Sequence, residues 1–233
     1  MSRSKKKRKA KLKRKREKRK LRGKPVYFSI ANNPKKLKGR NSFYYYKVNL
    51  HNIIFKGASF KNSRFKAGHM TNCNFRKAKF IGCDFVTMNL KESDFRNAQF
   101  INCCFFNCKL DGANFQGSQF KNTYFMSTKL SNTKSLELKD VKIVKSYPNF
   151  NLIPYLKYKI SYLYEFKKIR EYGVLNIDKN TINFWFLNIL LQDFSQKELS
   201  IFLSKVCQRS QKRQKNYITL YSFTEEMEGF FNK

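Results

Sequence analysis

Acidic residues are scarce. Fifteen Asp and Glu stand against fifty Lys and Arg in 233 residues, a formal net charge of +35. Self-repulsion on that scale opposes compactness unless a polyanion is close, which points to nucleic acid ahead of an anionic membrane face. Histidine is scarcer still, with only His51 and His69. Neither belongs to a Ser/His/Asp set, and no paired carboxylates or glycine-rich phosphate loop accompany them, so nothing supports an enzyme. The absence of C-x-x-C spacing and of zinc-ligand histidines leaves no metal site and no cofactor to expect. Long apolar runs are missing too. The longest, "INFWFLNILL" at 182–191, is too short for a bilayer span of about 20 residues. No apolar stretch follows the basic start, so no export signal is expected. The expectation is a soluble cytoplasmic chain associated with ribosome or nucleoid, or a nuclear one if eukaryotic.

The charge is uneven. Residues 1–24 hold sixteen Lys or Arg and one Glu. Like charges three and four apart repel in water, so this arm is expected to be disordered alone and helical once phosphates neutralise it. Its length and density resemble the extensions of ribosomal proteins that thread through ribosomal RNA. Lys5, Lys6, Lys7, Arg8, Lys9, Lys13, Arg14, Lys15, Arg16, Lys18, Arg19 and Lys20 are its candidate phosphate contacts, of a kind that supplies affinity with little sequence information.

What is abundant is a period of five. Steps of five from Leu50 to Leu130 give seventeen residues, none polar, as in Phe80, Phe85, Leu90, Phe95 and Phe100. Two residues before each lies a second, mostly small series that includes Ala58, Cys73, Ala78, Cys83, Ala98, Cys103 and Cys108. Large and small residues at spacing two both point inward from an extended segment. Leu50, Met70, Leu90, Leu110 and Leu130 recur every twenty residues, so four five-residue sides make one turn. The pattern predicts a square-section solenoid of about four coils, roughly 20 Å long at strand spacing. The cysteines in the small slots serve as compact apolar groups; only Cys104 points out, and no disulfide is expected.

The segments "ESDFRNAQF" and "GANFQGSQF" resemble the pentapeptide-repeat family, consensus A(D/N)LXX or its Phe variant, over residues 48–130. The resemblance implies a right-handed quadrilateral β-helix. Family members that protect gyrase and topoisomerase from quinolones resemble DNA in width and charge, and are acidic. This solenoid carries only Asp84, Glu92, Asp94 and Asp111 against twelve basic residues from 50 to 130, which disfavours mimicry.

Outward columns also form. Lys56, Arg76, Arg96 and Gln116 stack on one side, a row of three cations that could follow phosphates. Ile81 and Ile101, with Val86, Phe106, Tyr124 and Met126 on the next side, make an apolar patch of the kind that marks a contact surface. Its expected occupant is the chain's own C-terminal segment, with a second subunit next. "FYYYKV" at 43–48 is placed to close the first coil, since solenoid ends need covering.

After Ser135 the pattern becomes helical. Asn151 and Pro154 suggest a start for a helix to about Tyr172 with Ile153, Leu156, Ile160 and Leu163 on its apolar face, ended by Gly173. "TINFWFLNILLQDF" reads as a second helix. Ser195 with Glu198 forms a capping box for a third, and Ser222 with Glu225 suggests a short fourth. "RSQKRQK" at 209–215 is a secondary basic patch.

The expected organisation is a basic arm (1–24), a linker and N-terminal cap (25–47), a β-helix (48–134) and an α-helical module (135–233). The expected function is a non-enzymatic nucleic-acid-binding scaffold, RNA ahead of DNA, with a protein partner or self-association through the helices. The alternatives are a protein-binding adaptor and a gyrase- or topoisomerase-interacting protein.

Overall fold

The computed structural model describes residue 14, residues 29–31, 36–208 and 216–232. The arm apart from Arg14, and the "RSQKRQK" patch, lie outside the described residues.

The period of five becomes a parallel β-solenoid of about five turns. Each side pairs with the side twenty residues on, as in Phe60↔Phe80 and Phe80↔Phe100. Four sides result. One carries the Leu/Met column, with Asn49–His51 and His69–Thr71 as strands. A second is held by isolated bridges such as Asn74↔Asp94. The third runs Ser59–Lys61, Lys79–Ile81, Gln99–Ile101 and Gln119–Lys121. The fourth is a six-stranded sheet from Tyr44–Tyr46 through Arg64–Lys66, Asp84–Val86, Cys104–Phe106 and Thr123–Met126 to Val141–Val144.

The turn beyond the expected four adds a strand at each end, the first in register with the beat at Ile30 and the last out of it. Ser29–Ala31 pairs with Asn49–His51, and Val141–Val144 joins Thr123–Met126 with Thr123 opposite Val141, a register of eighteen rather than twenty. Backbone pairing needs no particular side chain, so the ladder outlasts the sequence pattern.

Inside, Phe rings stack nearly parallel in columns, with centroids 5.0 Å apart for Phe55–Phe75, Phe75–Phe95 and Phe95–Phe115. Tyr45 caps another column at 4.5 Å from Phe65. Cys73, Cys83, Cys103 and Cys108 are buried free thiols in the small slots. Corners fall two residues after each large residue, where the backbone takes positive φ: Asn52, Asn62, Asn72, Asn97, Asn102, Asn107 and Asn122. Asn tolerates that left-handed conformation because its short amide bonds locally, which accounts for its abundance there.

Among the described residues five helices follow: α1 (Pro154–Leu163), α2 (Lys167–Tyr172), α3 (Phe184–Asp193), α4 (Gln196–Gln208) and α5 (Leu220–Phe231). The single helix expected to Tyr172 is therefore two. Tyr164, Glu165 and Phe166 donate to Ser161, Tyr162 and Leu163, i→i−3 bonds that tighten the end of α1 beyond α-helical continuation. Its N-cap is Ile153, exposed and without a side-chain cap, rather than Asn151. Gly173 does end α2, in the left-handed conformation. Ser195 and Glu198 form the expected box, with the Ser195 N–H donating to Glu198 Oε2 at 2.8 Å. For α5 the box is instead Thr219 with Ser222, so Ser222 sits at the third helical position and the helix begins earlier than expected. No described helix is long and apolar enough to cross a membrane.

Candidate functional site

The cationic column exists at the pitch of the Phe stack beneath it. Backbone bonds join it coil to coil: Gly57 N–H to Arg76 O, Lys77 N–H to Arg96 O and Asn97 N–H to Gln116 O. Its members differ in availability. Arg96 donates through Nε and Nη2 to the two oxygens of Asp94, at 3.0 and 2.8 Å. Burial raises the Asp94 carboxyl, but bonds from Arg96, with Arg76 adding at longer range, hold it below its usual range. Lys56 is exposed and Arg76 half-buried, and among the described residues neither has an ion-pair partner. Of the arm's candidate contacts only Arg14 is described, and it is exposed; the others lie outside the described residues.

The rod's few carboxylates are largely cancelled. Asp94 pairs with Arg96, Asp111 with Lys91 at 2.8 Å, and Asp84 with Arg64. Of the four carboxylates between residues 50 and 130, Glu92 alone has no ion pair among the described residues. His51 and His69 bond to Thr71 and Asn89 one coil on. Among the described residues no group of His, Cys, Asp and Glu is arranged to hold a metal.

The apolar patch divides. Val86, Tyr124 and Met126 are buried with Cys104, and Phe106 packs beside them, in one core with Leu156, Leu187 and Phe223 of the helices. Cys104 points out of the rod and into this second core. Phe106 lies 5.7 Å from the Trp185 ring. The occupant of this side is the chain's own helical module. Ile81 and Ile101, on the neighbouring side, stay half-buried and outside that core.

Polar groups sit in the same seam. Arg64 pairs with Asp84, donates through Nη2 to Gly173 O at 2.9 Å, and lies 5.1 Å over the Phe186 ring. Asp84 Oδ2 also accepts from the Leu220 N–H at 2.9 Å, at the start of α5. Tyr44 donates to Glu171 O at 2.6 Å and Lys66 to Tyr172 O at 3.4 Å. Burial pushes the Asp84 carboxyl up to about 6 against the pull of Arg64, and the Lys66 ammonium down to about 8. A cavity of ≈ 210 Å³ at the seam's edge is lined by Asp84, Asn102, Asn122, Asp193, Tyr221 and Glu228. Sequence reasoning missed this seam, although Arg64 and Asp84 stand twenty residues apart, the spacing that makes neighbours.

Four five-residue sides make each turn of the rod, with a large residue and a small one inward from each. Residues 48–130 are a pentapeptide-repeat segment. A family model described as the SV2A/B/C luminal domain also matches, over residues 38–146, just under half of the chain. No curated protein matches the sequence. Among solved structures, a trypsin-treated form of QnrB1, a plasmid-mediated fluoroquinolone resistance protein, is 12% identical over 50% of this chain and 78% of that one, with a TM-score of 0.23. Full-length QnrB1 is 14% identical over 45% and 69%, TM-score 0.19. Rfr23, a pentapeptide-repeat protein from the cyanobacterium Cyanothece 51142, is 13% identical over 51% and 81%, TM-score 0.18. The assignment of the pentapeptide-repeat segment rests on its own register and stacked core.

Proposed function

We propose that this protein is a non-enzymatic nucleic-acid-binding scaffold of the cytoplasm, taking RNA ahead of DNA. The basic arm grips phosphates, the Lys56–Arg76 side of the pentapeptide-repeat rod adds contacts, and the rigid rod sets distance. The observation that carries this reading is charge placement: sixteen of the fifty Lys and Arg lie in the first 24 residues. The rod adds to it, because three of the four carboxylates between residues 50 and 130 are already paired with cations. Ribosomal RNA is the first candidate, from the arm's resemblance to ribosomal extensions.

Two rivals are weaker. An adaptor would use the apolar patch, yet most of it is covered by the chain's own helices. A rod that imitates DNA for a topoisomerase needs the opposite sign of charge.

The test is recovery of the tagged full-length protein from its own cells at moderate salt, with and without RNase and DNase. Ribosomal RNA lost on RNase treatment supports the reading, and neutralising the arm should abolish that recovery. One defined protein recovered regardless of nuclease, with no nucleic acid, overturns it.

A further inference from the structure

Helix α1 carries two apolar stripes. Leu156, Ile160 and Leu163 are fully buried in the helical core, the ordinary inward face. The second stripe faces water: Tyr155, Tyr158 and Tyr162 are 52%, 59% and 45% exposed. Spacings of three and four put them on one strip of the helix, together with Lys159.

The strip is held in a defined shape. The Tyr158 and Tyr162 rings are nearly parallel, 20° apart in plane with centroids 6.2 Å apart. Tyr162 meets Phe166 edge-on at 5.6 Å, which continues the aromatic line past the end of α1. Lys159 Nζ lies 5.0 Å from the Tyr155 ring and 5.7 Å from Tyr158. The Tyr155 hydroxyl is 3.2 Å from Ser204 Oγ, which ties that ring to α4. No acidic residue occurs in α1, and the first carboxylate after it, Glu165, lies past its end.

We infer that this strip is a base-stacking platform for single-stranded nucleic acid. Bases lie on Tyr158 and Tyr162, and Lys159 meets a phosphate beside them. The inference rests on the nucleic-acid reading above and says which strand form the helical module takes. Aromatic faces interleaved with cations are what a single strand needs, because every base has a face to stack and every linkage a charge to meet. A duplex offers the charges but not the faces, since its bases are already stacked on each other. A second protein is the poorer fit: covering the strip would desolvate Lys159 with no carboxylate on the helix to pair it.

The test uses the full-length protein and labelled oligonucleotides of one length, an unstructured single-stranded RNA and a duplex, titrated over a range of salt. The double variant Tyr158→Ala/Tyr162→Ala removes both rings, and Tyr158→Phe/Tyr162→Phe keeps them. Both alter solvent-facing positions, and a circular-dichroism melt checks that each folds. The alanine pair is expected to lose about ten-fold or more in single-strand affinity, with duplex affinity and salt slope unchanged. The phenylalanine pair is expected to bind as wild type does. If the alanine pair binds single strands undiminished while the arm still confers salt-dependent binding, the platform is wrong and the scaffold reading stands. If the wild type binds neither form, both fall.

Discussion

Arg64 and Asp84 face each other across adjacent coils on the outside of the rod, and the docked helices seal the pair from water. Gly173 O at the end of α2 and the Leu220 N–H at the start of α5 complete the contact. One polar cluster therefore joins three parts of the chain that are far apart in sequence. Removing one partner of a buried pair strands the other, at a cost of about 3–5 kcal/mol. Arg64→Met and Asp84→Leu are each expected to destabilise on that scale. The double variant should lose less than the sum, which a double-mutant cycle in urea would measure.

The seam also makes stability depend on pH. Asp84 is raised to about 6 in the folded state, above an unfolded value of roughly 3.9. The folded state thus holds the proton more tightly, and its contribution is full at low pH and lost as pH rises from about 4 through 6. Lys66 is lowered to about 8, below an unfolded value of roughly 10.4, so the unfolded chain binds more protons between those values and stability rises there. Subtracting the Asp84→Asn profile from wild type should leave the acid slope, and subtracting Lys66→Met the alkaline one. Flat difference curves would refute the assignment.

Phe95 lies between Phe75 and Phe115 with no exposed surface. Phe95→Ala opens a void that rigid coils cannot close, at about 3–5 kcal/mol. Equilibrium denaturation reads this directly.

Gly82 has φ +60°, and a Cβ there would stand 2.5 Å from Tyr221 Cδ1 on α5. Gly82→Ala should add about 1–2 kcal/mol of left-handed strain and push α5 from the rod. Faster amide exchange in Leu220–Phe231 than in the rod is the expected signature.

Within the cationic column the three charges are not equal. Lys56→Gln and Arg76→Gln should each lower the salt slope of nucleic-acid binding by about 0.7 for a single strand or about 0.9 for a duplex. Arg96→Gln should change it less, because Asp94 already holds that guanidinium. Equal effects at all three positions would show that the Arg96–Asp94 pair opens on binding.

The rod was legible because its core is periodic. The recurring Leu50, Met70, Leu90, Leu110 and Leu130 declare four sides per turn, and burial then forces the large and small residues inward. Gly173 and the Ser195–Glu198 box were legible for a local reason, since each satisfies backbone groups within its own helix end. Thr219 was not, because Ser222, three residues before Glu225, offers an equally plausible start.

Residue by residue, then, the sequence determined the five-residue beat, the inward Phe and Cys positions, the sign and placement of charge and the existence of a helical module. Those depend on spacing and burial along a continuous stretch. The tertiary structure decided which charges remain available, that the Val86–Phe106–Met126 side is covered from within, and that Tyr155, Tyr158 and Tyr162 are left facing water. These depend on which distant surfaces meet. A contact between Asp84 and Leu220 has no period to announce it, and only docking removes Arg64 from the solvent that the sequence pattern alone assigns to it.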